Sequence, residues 1–169
     1  MSEPGSRRAT PDGGFTLTEL IVTLMVIAII SAIAVPRMGN DPVLLSAQVS
    51  QLAGDIRYVQ TLAMTQGQRY RINFTATGYT FTQANAGGTP VPHPVTGSTS
   101  QIAWNSGVMI SLPPANLGNN LVAFDGQGVP YTDNVATSVL ASTATITLNK
   151  SGAPSQSVTI TPQTGRVTP

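Results

Sequence analysis

Residues 14–37 read GFTLTELIVTLMVIAIISAIAVPR, an almost unbroken apolar run with one carboxylate, Glu19, near its start. From Phe15 to Val35 the run is about 31 Å long as an α-helix, which matches the hydrocarbon thickness of a bilayer. An ionisable group at bilayer depth costs about 2.5–3.5 kcal/mol, so one that is retained there is a functional candidate. The stretch predicts one membrane span near the N-terminus, with Glu19 as its functional residue.

The segment before this run, residues 1–14, is short and polar and contains Arg7 and Arg8. An excess of Lys and Arg beside a span tends to stay in the cytoplasm, so the long C-terminal part is predicted to be exported. An ordinary secretory signal has a shorter apolar core that is followed by its cleavage site. Here the small residues Gly13 and Gly14 precede a full-length run, so cleavage at this site would keep the span in the mature protein.

Glu19 is placed for pairing with a chain terminus. Phe15 and Glu19 are four residues apart and share one helix face, and the helix dipole favours a carboxylate in the first turns by typically 0.3–1 kcal/mol. A freed amine at Phe15 of a neighbouring subunit could therefore pair with Glu19. The alternative is a generic signal anchor whose Glu19 reaches the lipid headgroups.

Composition indicates a folded and weakly charged domain after the span. Charged residues make up 9% of the 169 residues and the net charge is +1, whereas about a quarter is usual. The hydrophobic content of 41% and the strand patterns argue against disorder. Residues 40–169 have a suitable size for one domain. The absence of cysteine excludes disulfides and thiolate metal sites.

Residues 40–67 carry a helical pattern. Asn40-Asp41-Pro42 reads as a helix start, and Gly67 as the stop after Gln66. Apolar residues between them recur at spacings of four and three, which places one stripe against a sheet: Leu45, Val49, Leu52, Ile56, Val59 and Ala63.

After Gly67 the apolar period changes to two, which indicates β-strands. The first two form a predicted hairpin with its aromatic face on the helix, and residues 84–100 read as a loop. Short strands follow at 102–104, 108–112 and 121–124, and a second hairpin spans 144–160.

The N-terminal residues resemble the processing signal of type IV pilins and type II secretion pseudopilins. The resemblance implies cleavage between Gly14 and Phe15 by a membrane prepilin peptidase, N-methylation of Phe15, and a role for Glu19 in assembly. Pro36 falls where many pilins have a helix-weakening proline, which implies a kink.

Three downstream segments resemble the GspH/FimT group of minor pilins and pseudopilins: residues 124–130, the hairpin 145–161, and the tail 162–167. The implied fold is α+β, the pilin fold, in which a long N-terminal α-helix with a transmembrane first half packs on a C-terminal antiparallel β-sheet domain. The implied divisions are a cleaved leader at 1–14, a transmembrane and filament-core helix at 15–36, and a periplasmic domain at 37–169. That domain would contain an amphipathic helix at about 42–66 and β-sheet at 68–169.

The resemblance implies a non-enzymatic structural subunit of a type IV pilus or a type II secretion pseudopilus. The subunit would be held in the bacterial inner membrane by a single pass, with its N-terminus cytoplasmic and its C-terminal domain periplasmic, and then assembled into the filament. Its implied partners are other pilins or pseudopilins, prepilin peptidase, inner-membrane lipid and the inner-membrane assembly platform, with no cofactor. A major pilin is an alternative, although many major pilins close a C-terminal loop with two cysteines, which this chain lacks.

DNA uptake is a second alternative, because some FimT-type pilins bind DNA through arginines in the tail. Arg166 is the only arginine in this tail, and Arg69 and Arg71 could add to it if the fold brings them together. So few phosphate contacts would bind DNA weakly. We therefore favour the alternative that these arginines are solvent-facing strand residues, with Arg166 ending a strand or pairing with an acid.

Enzymatic and metal-binding patterns are weak. The only histidine, His93, is expected to be a surface loop residue, and no nucleophile elbow or phosphate-binding glycine loop is present. Asp125 and Asp133 could ligate Ca²⁺, but they are also ordinary turn residues. No metal site is predicted.

Overall fold

The computed structural model describes residues 16–34 and 41–169. The chain divides into two compact units, one within residues 1–39 and the other covering residues 40–169. Gly14, Phe15 and Pro36 lie outside the described residues, and so does the kink predicted at Pro36.

The first unit contains helix α1, Leu17–Ala34. Its start is capped by Thr16, whose Oγ1 accepts a hydrogen bond from the Glu19 backbone N–H at 3.2 Å. Such a cap satisfies one of the backbone donors that the first helical turn leaves without a partner. Within residues 16–34 and 41–169, no helix reaches the combined length and apolarity needed to cross a bilayer.

The second unit begins with helix α2, Asp41–Gln66. The apolar stripe that the sequence predicts is confirmed as its buried face, since all six of its members are at most 3% exposed. Two polar residues, Gln48 and Asp55, are buried on the same helix. The helix is followed by Gly67 at a φ of 62°, a left-handed conformation that glycine adopts easily after a helix end.

Two antiparallel sheets follow α2 and share it as a packing partner. The first has the order β3-β2-β1-β5-β6 and the second β4-β7-β8-β9. α2 contacts β1 and β5 of the first sheet and β7, β8 and β9 of the second. In chain order the strands are Tyr70–Thr75 (β1), Gly78–Gln83 (β2), Ile102–Ala103 (β3), Val108–Ile110 (β4), Leu121–Phe124 (β5), Pro130–Tyr131 (β6), Ala144–Lys150 (β7), Gln156–Ile160 (β8) and Val167–Thr168 (β9).

Both predicted hairpins are confirmed. β1 and β2 pair in register from Tyr70↔Gln83 to Thr75↔Gly78, and β7 pairs with β8. The aromatic side chains of the first hairpin are buried at 4% exposure or less, because alternate residues of a strand share one face. They form one core with the α2 stripe, Phe124, Trp104 and the inward residues of the second sheet.

Candidate functional site

α1 carries exposed apolar side chains on every face. Its large side chains between residues 17 and 30 are each exposed by about half or more, and at 100° per residue their positions are distributed over every face. An apolar helix of this kind is normally buried against other apolar groups. The exposed residues are Leu17, Leu20, Ile21, Val22, Leu24, Met25, Val26, Ile27, Ile29 and Ile30.

Glu19 is the acidic residue of the first turn of α1. Its side chain is exposed, and among the described residues none donates a hydrogen bond to its carboxylate. Thr16 and Thr23 lie three residues before and four residues after it, so the three polar side chains share one face. The Thr23 hydroxyl donates to the Leu20 carbonyl at 2.9 Å. The Glu19 carboxylate therefore lies on the same helix face as two hydroxyl groups, in a helix whose other side chains are mostly apolar.

Two of the three downstream segments that carry the family resemblance, residues 124–130 and 162–167, meet at Gln60 of α2. Gln60 Nε2 donates to the Gly128 carbonyl at 3.0 Å and to the Thr164 carbonyl at 3.1 Å. The neighbouring Arg57 donates from Nη2 to the Val167 carbonyl at 2.8 Å. We call this contact region, formed by Arg57, Gln60, the 125–130 turn and the 162–167 tail, the α2 junction. It joins two segments that are about forty residues apart in sequence through one helix.

Gly165 shows how closely the backbone segments approach one another at the α2 junction. Its φ is 61°, and a Cβ atom there would lie 2.5 Å from Gln60 Nε2, 2.6 Å from the Gly128 carbonyl oxygen and 3.1 Å from Phe124 Cε1. Only glycine fits this position without displacing its neighbours. The backbone of the tail thus packs directly against the Gln60 side chain and the Gly128 carbonyl, with no room for a side chain between them.

Asp125 organises the 125–130 turn, which is one part of the α2 junction. Its Oδ1 accepts the backbone N–H groups of Gln127 and Val129, both at 2.9 Å, and its Oδ2 accepts the Tyr131 hydroxyl at 3.1 Å. Asp133 similarly accepts the Thr137 N–H and hydroxyl. Both residues therefore act as turn residues, and the described residues contain no group of three or more His, Asp or Glu side chains that could hold a metal.

Arg69 and Arg71 hold a surface segment in place. Arg69 Nη1 donates to the Val135 carbonyl and Arg71 Nη1 to the Asn134 carbonyl, each at 2.9 Å, while Arg71 Nε donates to Thr82 Oγ1 at 2.8 Å. Burial lowers the pKa of Arg71. The held segment, residues 132–138, contributes Ala136 to a small buried apolar cluster with Ala84 and Ala123. We call this segment the strap.

Arg166 lies elsewhere in the fold. It is exposed and directly precedes β9 of the second sheet, whereas Arg69 and Arg71 belong to the β1 region of the first sheet. Two of the three arginines proposed as DNA contacts thus use guanidinium donors to bind backbone carbonyls of the strap. The sequence pattern contains no signal for the strap itself.

The prediction for His93 was wrong. Its ring is 6% exposed and lies against α2, with Nε2 3.3 Å from Asp55 Oδ1. Tyr79 donates its hydroxyl to Asp55 Oδ2 at 2.5 Å. Burial, the hydrogen bond to Asp55 and the charge of Asp55 raise the pKa of Tyr79 well above its usual value. The acid that partners His93 is 38 residues away in sequence, so local inspection of the 84–100 loop could not find it.

Comparison with known proteins gives two matches to sequence models of families. The prokaryotic N-terminal methylation motif matches residues 11–35, and the family described as type II transport protein GspH matches residues 48–165. No curated protein matches the chain significantly.

Two solved proteins are similar in structure. The minor pseudopilin EpsH from the type 2 secretion system of Vibrio cholerae has 13% identity and a TM-score of 0.52, covering 73% of this chain and 94% of its own. The type IV minor pilin FimU of Pseudomonas aeruginosa, in a P21 crystal form, has 14% identity and a TM-score of 0.52, covering 73% and 86%. At this identity the likeness shows the fold, and the predicted α+β pilin fold is confirmed.

The GspH match covers most of the chain, from within α2 to the tail of the α2 junction. Members of this family are structural pilin and pseudopilin subunits, which confirms the prediction that the protein is not an enzyme. The chain therefore belongs to the GspH family of minor pilins and pseudopilins.

Proposed function

We propose that the protein is a minor pilin or pseudopilin that is first inserted in the bacterial inner membrane and is then assembled into a type IV pilus or a type II secretion pseudopilus. The observation that carries this proposal is α1, a helix with exposed apolar side chains on every face and a single carboxylate in its first turn. Lipid and a filament core are the two environments that such a helix suits.

Processing would occur between Gly14 and Phe15, followed by N-methylation of Phe15. The methylation motif at residues 11–35 supports this order of events. Cleavage there would remove Arg7 and Arg8 and leave a new amino group four residues before Glu19. Arg7 and Arg8 in the leader support a single-pass topology with the C-terminal domain in the periplasm.

Assembly would move α1 from lipid into a bundle of neighbouring helices. The two environments are almost equally apolar, so burial of α1 contributes little to the difference between them. Lateral contacts and the pairing of Glu19 must therefore determine the direction. A charge without a partner in such a bundle is strongly unfavourable, so Glu19 would require the Phe15 amino group of a neighbouring subunit.

The test compares Glu19→Gln with Glu3→Gln in the native host. Glu3 lies in the leader, so filaments built from Glu3→Gln subunits would be chemically identical to wild type. We expect both variants to be inserted and cleaved, but Glu19→Gln to be absent from sheared filaments. Mass spectrometry of the mature N-terminus and immunoblotting of the filament fraction are the measurements.

Three outcomes would contradict the proposal. Normal incorporation of Glu19→Gln would remove the assembly role of Glu19, and an intact leader on the mature protein would remove the processing step. Absence of the wild-type protein from every filament preparation would contradict the function as a whole. High subunit abundance in purified filaments would instead identify a major pilin.

A further inference from the structure

The 84–101 loop is attached to α2 through the buried ring of His93. The ring lies parallel to Phe81 of β2, with centroids 5.6 Å apart and planes at 13°. The backbone around it forms a closed turn, in which His93 N donates to the Ser98 carbonyl at 2.8 Å and Gly97 N donates to the His93 carbonyl at 2.9 Å. We call residues 93–98 the His93 turn.

The two ring nitrogens of His93 have different partners, which defines the tautomer. Nδ1 lies 3.2 Å from the Val95 N–H and 3.4 Å from the Thr96 N–H. Both groups are donors, so Nδ1 must be an acceptor without a proton. Nε2 therefore carries the proton of the neutral ring and donates it to Asp55 Oδ1.

We propose that His93 is a proton-sensitive latch, which holds the His93 turn closed when the ring is neutral and releases it when the ring is protonated. An imidazolium has two N–H donors and no acceptor. After protonation, the Nδ1–H group would face the Val95 and Thr96 N–H groups with no acceptor among them. His93 is the only histidine of the chain, and histidine changes its charge between pH 5 and 8.

The residues around the His93 ring limit the effect of protonation to the His93 turn. Asp55 of α2 binds Nε2 of the ring, Tyr79 of β2 donates to Asp55, and Phe81 of β2 stacks on the ring. Among the described residues, Asp55 is the one charged side chain that forms an ion pair with the ring. Protonation strengthens the contact between His93 and Asp55, and Tyr79 continues to donate to Asp55. The ring therefore stays on α2 while Val95 and Thr96 detach.

The sign of the pH dependence follows from the proton count. The closed turn requires an unprotonated Nδ1, so it binds one proton fewer than the open turn. Falling pH therefore favours the open turn. Since α2, β2 and Asp55 keep their contacts, acidification should open the His93 turn without unfolding the domain.

The experiment uses the full-length chain, labelled with ¹⁵N, in detergent micelles. The imidazole ¹⁵N shifts report the tautomer of the single histidine, and the amide signals of Val95, Thr96 and Gly97 report the turn. We expect the Nε2–H tautomer at pH 7.5. At pH 5.0 we expect at least about tenfold loss of amide exchange protection, corrected for intrinsic rates, with the same midpoint as the ring.

His93→Gln is the matched control, because its amide also offers a donor to Asp55 and does not titrate. Its amide protection should not change between pH 7.5 and pH 5.0. If this variant disrupts the turn at both pH values, the common midpoint of ring and amides in the wild-type protein decides. An Nδ1–H tautomer at pH 7.5, unchanged wild-type protection, different midpoints, or an equal acid response in His93→Gln would each overturn the latch.

Discussion

Replacing Gly165 with alanine is expected to destabilise the 40–169 unit by about 3–4 kcal/mol. A non-glycine residue in the left-handed region costs roughly 1–2 kcal/mol, and the φ of Gly165 is 61°. The added Cβ would also displace Gln60, whose side chain donates two hydrogen bonds across the α2 junction. Each lost bond costs about 1 kcal/mol, which gives the total.

Substitutions at two other glycines separate the conformational cost of a left-handed φ from the steric cost of the added Cβ. Gly67 has nearly the same φ, 62°, but a Cβ there would meet no atom within 4 Å, so Gly67→Ala should cost only the conformational term of about 1–2 kcal/mol. Gly54 lies in α2 and is equally open. Because alanine is the better helix former, Gly54→Ala should stabilise the domain by about 0.8–1 kcal/mol.

The assay is urea denaturation of the full-length chain in mild detergent, followed by the fluorescence of Trp104. This residue is the only tryptophan. It is 8% exposed and donates its ring N–H to the Thr75 carbonyl at 3.1 Å, so its emission reports loss of the core. Equal destabilisation by Gly165→Ala and Gly67→Ala would refute the steric reasoning, and destabilisation by Gly54→Ala would refute the helix argument.

Two further predictions concern Tyr79 and the strap. Above pH 10 an unfolded chain releases its tyrosine protons while the folded chain retains that of Tyr79, whose pKa is raised, so the free energy of unfolding should fall with rising pH. Tyr79→Phe should weaken this slope in urea titrations between pH 8 and pH 11, and an unchanged slope would contradict the assignment. Replacing Arg69 and Arg71 together with alanine should increase hydrogen exchange throughout residues 132–138 while the exchange of α2 stays unchanged. Unaltered exchange in the strap would show that these guanidinium bonds do not hold it.

Local patterns predicted the helices and most strands of the fold, because each pattern depends only on residues that are close together in the sequence. The four-and-three spacing of the α2 stripe describes one helix face whatever lies opposite, and alternation in β1 and β2 similarly describes one strand face. Two of the three two-residue strands, β6 and β9, were missed. Two residues are too few for a period to show by themselves, and these strands form because longer strands beside them offer hydrogen-bonding partners.

The sequence by itself determined the apolar α1 segment with its single carboxylate, the helix and hairpins after it, and the family to which the chain belongs. These features depend on residue type and spacing over a few turns of backbone. Only the tertiary structure decided that Asp55 binds both His93 and Tyr79, that Arg69 and Arg71 bind the strap, and that Gln60 joins two distant turns. Each of these contacts links residues well separated along the chain, and such pairs become neighbours only when burial of the common core brings their elements together.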